Sequence, residues 1–170
     1  TAIKQDIQLA RRDTATNIIA FMHWGYEYHN FPNKEQRALS KWLHEQGADM
    51  VIGSHPHVVQ PIEYYTSNKD TLGVTVFSLG NFISNQSQQG TEGGICIRVT
   101  LTKPRNYPVR YQMESIKFYM YRPYEEGRRR YYVVPENLAD SIMKDFHLTK
   151  SKNFFKKTDS ILKSTKTFSF

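Results

Sequence analysis

The first half of the chain alternates between short apolar runs and one amphipathic segment. The apolar run at 17–22 has the length of a strand buried on both faces, and a second short apolar strand spans 49–53. Between them, apolar residues recur at helical spacing over 34–46, and Asn33 precedes this segment as a candidate N-cap. A strand, a helix and a strand in this order predict a βαβ unit at 17–53 with parallel strands.

The rest of the pattern predicts further strands and two C-terminal helices. The expected elements are strands at 58–65 and 74–79 joined as a hairpin through a turn at 66–73, strands at 95–102, 111–121 and 131–134, and helices at 136–146 and 153–163. The first twelve residues predict an amphipathic helix rather than a signal peptide. The order of elements indicates an α/β fold class, without internal repeats or a glycine-rich phosphate loop.

Three histidines follow the two predicted parallel strands. His23 comes after the first strand, and His55 and His57 come after the second. Because the carboxyl ends of parallel strands meet at one edge of a sheet, we expect the three imidazoles to converge. Pro56 favours an extended backbone at His55, which would place both neighbouring imidazoles on one face, about 6.6 Å apart at Cα. Such a pair either binds one or two transition-metal ions or consists of hydrogen-bonded loop residues.

Neutral imidazoles alone leave a metal site without an anionic ligand, so carboxylates are also needed. Glu27 is the first candidate, as a general acid, a substrate contact or a partner of a metal ligand; the alternative is a surface carboxylate. Glu63 fits the predicted hairpin better, and Asp49 is excluded because it opens a strand at the opposite sheet edge. Asn81 ends the third strand, where its amide either orients a substrate or closes a turn.

The remaining candidates have simpler interpretations. Trp24 and Tyr28 are either substrate contacts or pocket walls and core residues. His29 and His44 are expected at the surface. Cys96 is expected to be buried in its strand, and a single cysteine excludes an internal disulfide.

Composition and charge bound the class of protein. The chain is 39% hydrophobic, enough for the core of one domain, and holds no run of about 18 apolar residues that would span a membrane. The net charge of +7 is concentrated in the C-terminal half, notably in R-R-R at 128–130. This charge fits a solvated basic surface or a polyanion partner. No specific nucleic acid is expected, because helix-turn-helix, zinc-finger and regularly interleaved aromatic patterns are missing.

Four motifs in order resemble a known family over about residues 17–85. They read H-W-G-Y-E-Y at 23–28, P-N-K-E-Q-R at 32–37, G-A-D-M-V-I-G-S-H-P-H-V-V-Q-P-I-E at 47–63, and F-S-L-G-N-F at 77–82. Together they are similar to the CapA/PgsA capsule-synthesis family of poly-γ-glutamate biosynthesis, which is related to the calcineurin-like metallophosphoesterases. The resemblance implies the C-terminal part of a β-sandwich flanked by helices, in a four-layer α/β/β/α arrangement.

The resemblance also implies a site and a division of the chain. The implied metal ligands are His23, His55 and His57, the implied catalytic residues are Glu27 and His55, and the implied substrate contacts are Trp24, Tyr28 and Asn81. The implied cofactors are two divalent transition-metal ions such as Mn, Fe or Zn. Family members carry carboxylate ligands in an earlier half, so the site is expected to be incomplete here. Residues 1–125 would belong to the family domain and 126–170 to a basic helical extension.

The implied function is that of a cell-envelope capsule-synthesis protein. It would act as a metal-dependent, phosphoesterase-like hydrolase in the biosynthesis or export of poly-γ-glutamate or another capsule polymer. Its partners would be that polymer or its precursor and other capsule-synthesis proteins. We expect the piece itself to be soluble and nearly inactive alone, with a preceding segment as the membrane anchor. The alternative is a non-catalytic envelope protein that holds an anionic polymer in the same cleft.

Overall fold

The computed structural model of the chain describes residues 1–67, 70–102 and 110–169. The helices are α1 (Ala2–Arg12), α2 (Lys34–Glu45), α3 (Ala139–Ile142) and α4 (Asp145–Lys163), with a 3₁₀ turn at Glu136–Leu138. The strands are β1 (Ile19–His23), β2 (Met50–Ser54), β3 (Ile62–Ser67), β4 (Asp70–Val76), β5 (Gly93–Thr102), β6 (Arg110–Tyr121), β7 (Tyr124–Glu125), β8 (Arg128–Arg129), β9 (Tyr132–Pro135) and β10 (Lys166–Ser169).

A mixed five-stranded sheet forms the centre of the fold, in the order β1-β2-β4-β3-β10. β1 runs parallel to β2 and β2 parallel to β4, while β3 and β4 form an antiparallel hairpin and β10 lies parallel to β3. The predicted βαβ unit at 17–53 is therefore confirmed, with α2 as its helix, and the α/β fold class is correct. A second, antiparallel sheet has the order β5-β6-β9, and β7 pairs with β8.

The boundaries of α2 follow from its capping residues, as the sequence predicts. The Asn33 side chain accepts a hydrogen bond from the Gln36 backbone N–H at 2.8 Å. The Gln36 side chain in turn accepts from the Asn33 N–H at 3.0 Å, which completes a capping box. Beyond the other end, Gly47 has φ +107°, a conformation that glycine adopts without steric cost.

Two hydrophobic clusters cover the central sheet. Val51 and Phe77 pack with Trp24 and Leu43 in a cluster that joins the sheet to α1 and α2. Ile52, the next residue along β2, belongs to a larger cluster that joins the sheet to the second sheet, α3 and α4. Because successive strand residues face opposite sides, β2 serves both cores at once. The residues of β2 from Met50 to Gly53 are accordingly buried.

The prediction that the first strand is buried on both faces is wrong. β1 is the edge strand of the central sheet, and its burial alternates along its length. Phe21 is 78% exposed and Ile19 is 44% exposed, whereas Ala20 and Met22 pack against the α1–α2 cluster. A continuous apolar run does not distinguish a strand covered on both faces from one covered on a single face.

Several predicted boundaries shift in the structure. The strand predicted at 58–65 begins only at Ile62, after a buried segment in which Val59 makes a single bridge to Leu79. The strand predicted at 74–79 is β4, which starts at Asp70 and ends at Val76. Part of the predicted turn at 66–73 lies outside the described residues.

The C-terminal helices also differ from the prediction. The helix predicted at 136–146 is a 3₁₀ turn followed by the short α3, and α4 runs unbroken from Asp145 to Lys163. Downstream of residue 126, β9 pairs with β6 and β10 pairs with β3. The division of the chain at 125/126 stays a prediction. Among the described residues, none of the helices is both long enough and apolar enough to cross a membrane.

The predicted burial of Cys96 is wrong, because its side chain is exposed. Along β5, Ile95, Ile97 and Val99 share the face that packs into the larger cluster. Cys96 lies between them in sequence and therefore points to the other face. The general preference of cysteine for burial is weaker here than the alternation of the strand.

His44 is buried, so the prediction of a surface position is wrong. It is 8% exposed and lies on the face of α2 that covers the sheet. Its Nδ1 is 2.8 Å from the Ala48 carbonyl oxygen and its Nε2 is 2.8 Å from Thr75 Oγ1. The carbonyl can only accept, so His44 carries a proton on Nδ1 and donates it to Ala48. Burial lowers the pKa of His44 below its ordinary value, against smaller opposing effects of Ala48 and Asp49.

The same face of α2 carries further buried polar contacts. Arg37 forms an ion pair with Glu63, which is 1% exposed and belongs to β3, as predicted. Ser40 Oγ lies 2.7 Å from Thr75 Oγ1. Asp49, which the sequence analysis excluded from the site, pairs instead with Arg11 at 2.6 Å. The helix thus packs on the sheet through paired polar groups as well as through Leu43.

Candidate metal centre

The candidate site lies where β1 and β2 end side by side. His23, the last residue of β1, is in register with Ser54, the last residue of β2. The chain continues from both strands into loops, and the Tyr28 N–H donates to the Pro56 carbonyl at 2.8 Å, which ties the loops together. The parallel pairing of the strands thus places loop residues distant in sequence at one edge of the sheet.

The two histidines after β2 do not have the predicted extended backbone. His55 has φ +95° and His57 has φ +60°, both in the left-handed region. Non-glycine residues rarely adopt this conformation, and each such residue costs about 1–3 kcal/mol. The hydrogen bond from the Tyr28 N–H to the Pro56 carbonyl stabilises this turn. It is a tertiary contact, which the conformational preference of a residue before proline does not take into account. His29 is exposed, as predicted.

Glu27, His55 and His57 form a set of possible metal ligands. One ligand atom from each residue lies within 4.8 Å of the others. Glu27 Oε1 is 3.5 Å from His57 Nε2, and the ring centroids of His55 and His57 are 6.1 Å apart. The Glu27 side chain is 48% exposed, so the set opens to solvent. It is the only such set among residues 1–67, 70–102 and 110–169.

His23 lies beside this set rather than within it. Its ring centroid is 4.5 Å from that of His55, and its Nδ1 is 3.5 Å from Ser54 Oγ. The structure therefore brings all three predicted histidines together at one edge. It groups Glu27, rather than His23, with His55 and His57 by ligand-atom distance.

Asn81 fixes the tautomer of His57. The Asn81 Nδ2 group donates both of its hydrogens, to Gln86 Oε1 at 2.8 Å and to the Thr91 carbonyl at 3.1 Å. Its Oδ1 therefore faces His57 Nδ1, 2.9 Å away, and can only accept. His57 must carry a proton on Nδ1, so Nε2 is the nitrogen that faces Glu27 and can bind a metal ion.

Tyr28 and Gln86 extend this network. The Tyr28 ring stacks on His57, with centroids 6.1 Å apart, and its hydroxyl accepts from Gln86 Nε2 at 3.2 Å. Desolvation, followed by the carboxylate of Glu27, raises the pKa of Tyr28 above its ordinary value. The sequence analysis missed Gln86, which lies in a polar loop whose composition indicates no chemistry.

Trp24 lies in the core rather than at the open side of the site. It is 8% exposed, stacks on Phe77 with centroids 5.7 Å apart, and donates from Nε1 to the Phe77 carbonyl at 2.9 Å. Gly53 permits this close approach, because a Cβ at that position would overlap both the Phe77 carbonyl and the Trp24 indole nitrogen. Trp24 thereby supports the end of β2 from which His55 and His57 extend.

The donor chemistry of the set fits a transition-metal ion. It offers an imidazole that presents its Nε2, a second imidazole and a carboxylate. Imidazole suits zinc and iron, and carboxylate also suits manganese. Hydrogen bonding of the distal nitrogen of a ligand histidine, as Asn81 does for His57, is a usual companion of metal ligation.

Comparison with known proteins places the chain in a family. The fold and the clustered ligands define a mixed α/β protein with a candidate metal centre. The chain belongs to the family described as bacterial capsule synthesis protein PGA_cap, whose model matches residues 1–86. The CapA/PgsA resemblance is thus confirmed.

Two curated relatives each match about half of the chain. It is 38% identical over 86 residues to "PGA biosynthesis protein CapA" of Bacillus subtilis (strain 168). The aligned residues make up 51% of the chain and 21% of the relative. The chain is 34% identical over 91 residues to "Capsule biosynthesis protein CapA" of Bacillus anthracis. The aligned residues make up 54% of the chain and 21% of the relative. The chain spans about a fifth of the length of these relatives.

Proposed function

We propose that this chain is part of a capsule-synthesis protein that acts on poly-γ-glutamate or a related capsule polymer as a metal-dependent hydrolase. The set of Glu27, His55 and His57 is the observation that carries the proposal. The names of the two CapA relatives support the capsule role. The proposed surroundings are the cell envelope, with other capsule-synthesis proteins as partners.

His55, His57 and Glu27 are the proposed metal ligands in this chain, with His23 next to them. A bound divalent ion would supply Lewis-acid chemistry and a water of lowered pKa. His57 presents Nε2 because Asn81 holds the proton on Nδ1. We therefore assign Asn81 a positioning role in addition to the substrate contact that the resemblance implies.

Glu27 and Tyr28 are the residues that would meet a substrate. The carboxylate of Glu27 is half-exposed and can accept a proton from an attacking water or bind the ion directly. The raised pKa of Tyr28 keeps its phenol protonated at neutral pH, so its hydroxyl can donate to this carboxylate. Trp24 supports the site from the core in this proposal.

The finer architecture belongs to the same proposal. We infer that the two sheets form part of a metallophosphoesterase-like sandwich of four layers. We also infer that a second ion, and the carboxylates that bridge two ions in such sites, require residues beyond those grouped here. The chain alone is therefore expected to bind one ion weakly and to catalyse little.

Calorimetric titration of the chain with Zn²⁺ and Mn²⁺ tests the metal centre. We expect one ion per chain, and affinity reduced at least about tenfold in His55→Ala, His57→Ala and Glu27→Gln. His147→Ala is the matched control, because this half-buried histidine belongs to α4 and contacts Tyr121. Equal affinity in the wild-type chain and in the site variants would contradict the proposal.

A non-catalytic polymer-binding protein is the second candidate. It is favoured by the charge of residues 87–170, which contain 16 Lys and Arg against 8 Asp and Glu. Assays of the metal-loaded longer protein, of which this chain is proposed to be part, with a phosphoester and a γ-glutamyl amide distinguish the two. Turnover that is lost in His57→Ala supports the hydrolase, and polymer binding without turnover supports the second candidate.

A further inference from the structure

Two adjoining cavities lie on the side of the molecule formed by the loop before β5, the end of β6, β8 and α4. Their volumes are about 380 and 200 Å³, and both are lined by Ser87 and Lys150. Arg122 and Arg129 line the smaller cavity and Lys157 lines the larger one. We refer to the surface formed by Arg122, Arg129, Lys150 and Lys157 as the basic groove.

Four cations and one carboxylate line the two cavities of the basic groove. Within the described ranges, none of the four cations forms an ion pair with an acidic side chain. Arg122 donates to the Gln86 carbonyl at 2.9 Å, and the Lys150 ammonium lies 4.3 Å from the Phe146 ring centroid. Glu92 also lines the larger cavity, where it accepts from the Gly90 N–H at 2.6 Å.

The cations of the groove also affect the pKa of a neighbouring histidine, His147. The pKa of His147, which lines the smaller cavity, is lowered by desolvation and then by Lys150 and Arg122. Cations that come this close to one another without acidic partners repel each other. An anionic ligand would relieve that repulsion, as it does in basic clefts generally.

Amide side chains line the same two cavities as the cations. Asn85 lines the smaller cavity, and Gln89 and Asn153 line the larger one. Amides both donate and accept hydrogen bonds, so they complement a ligand that itself contains amide groups. The cations and amides of the groove therefore suit a chain with carboxylates and amide links.

The basic groove adjoins the candidate metal centre through Gln86. The backbone carbonyl of Gln86 accepts from Arg122, and its side chain bonds to both Asn81 and Tyr28. One residue thus contacts a cation of the groove and two residues of the metal-centre network. A chain lying in the groove would extend toward Glu27 and His57.

We propose that the basic groove is a binding site for an extended polycarboxylate chain and guides it toward the metal centre. The choice of a γ-linked polyglutamate as this chain rests on the proposed function. The groove residues from Ser87 onward lie outside the segment that matches the family model. The groove is therefore a separate feature from the histidine motifs.

Fluorescence anisotropy with labelled poly-γ-glutamate tests the groove at low salt. The test variant combines Arg129→Gln, Lys150→Gln and Lys157→Gln. The control combines Lys4→Gln, Lys34→Gln and Lys156→Gln, three exposed lysines outside the groove, with the same loss of charge. We expect the test variant to lose about tenfold in affinity and the control less than about twofold.

Three results would overturn the proposal. They are no measurable binding by the wild-type chain, equal losses in both triple variants, and equally tight binding of duplex DNA that is lost in the same test variant. The last result would assign the groove to nucleic acid. Circular dichroism tests whether both variants fold. A loss of binding in a folded variant is then due to the loss of the groove cations.

The proposals for the groove and for the metal centre are contradicted by different experimental results. Polymer binding that persists in His57→Ala, while the metal titration shows no ion, would support the groove and contradict the proposed hydrolase. Metal binding without any polymer binding would support the metal centre and contradict the groove. Both measurements use the same chain and the same buffer, so the two proposals are tested side by side.

Discussion

The half of the chain that matches the family model differs from the other half in chemistry and in charge. Residues 1–86 hold 7 Lys and Arg against 8 Asp and Glu, whereas residues 87–170 hold 16 against 8. The first half supplies the parallel strands, the histidines and Glu27. The second half supplies the antiparallel sheet, α4 and most of the basic groove.

This difference shows how the two halves can divide one task. The first half depends on tight packing and on a fixed tautomer at particular atoms. The second half offers a charged surface whose effect depends on several side chains together. We therefore expect single substitutions to have large effects on the site of the first half and small effects on the charged surface of the second.

The largest effect is expected at Gly53. In Gly53→Ala the new methyl group would overlap the Phe77 carbonyl and the Trp24 indole, so the free energy of unfolding should fall by about 3 kcal/mol or more. Gly127→Ala is the control in the second half. It has φ +76° and open space around it, and should cost only about 1 kcal/mol. Urea denaturation measures both, and equal losses would contradict the packing argument.

The next effect concerns the tautomer of His57. Asn81→Ala removes the acceptor for Nδ1–H and should weaken Zn²⁺ binding about 10- to 100-fold. Asn81→Asp keeps the acceptor for Nδ1–H but turns a carboxylate oxygen toward the Thr91 carbonyl, so it should recover only part of the affinity. Calorimetry of both variants checks this, and unchanged affinity in Asn81→Ala would remove Asn81 from the site.

A pH dependence of stability is expected from His44. Because burial lowers its pKa in the folded state, the unfolded chain takes up a proton first as the pH falls below about 6.5. The free energy of unfolding should therefore decrease from about pH 6.5 down through the lower folded pKa, and be fully present above this range. His44→Gln should flatten this dependence. An identical slope in wild type and variant would show that His44 does not cause it.

The smallest effect is expected at Cys96. Its side chain is exposed on β5, so Cys96→Ser should change the free energy of unfolding by less than about 0.5 kcal/mol. Ile95→Ser is the matched comparison, because its side chain is 2% exposed and its loss should be several-fold larger. Thermal denaturation of the two variants decides whether alternation along β5 or cysteine's preference for burial governs this strand.

The sequence predicts the fold best where local signals agree. The capping box at Asn33 and the two apolar strands around it predict the βαβ unit correctly. The hydrophobic pattern does not predict which polar residues are buried. On α2 these are Gln36, Ser40 and His44. Hydrophobic periodicity detects α2 but does not show which of its polar residues are buried against the sheet.

The candidate site is predictable in its location but not in its geometry. The carboxyl ends of β1 and β2 place the three histidines near one another, as parallel pairing requires. The left-handed backbone of His55 and His57 depends on a bond from Tyr28, which is distant in sequence. The role of Gln86 likewise depends on contacts that only the folded chain creates.

The most direct test of the metal centre is a long-range ¹H–¹⁵N spectrum of the histidine rings before and after addition of Zn²⁺. His44 is the internal reference, because its Nδ1 proton is fixed by Ala48, its ring is buried, and it does not belong to the ligand set. We predict that His57 carries its proton on Nδ1 throughout and that Zn²⁺ shifts its Nε2, together with a nitrogen of His55. Nε2 protonation of His57, or resonances unchanged by Zn²⁺, would contradict the metal centre.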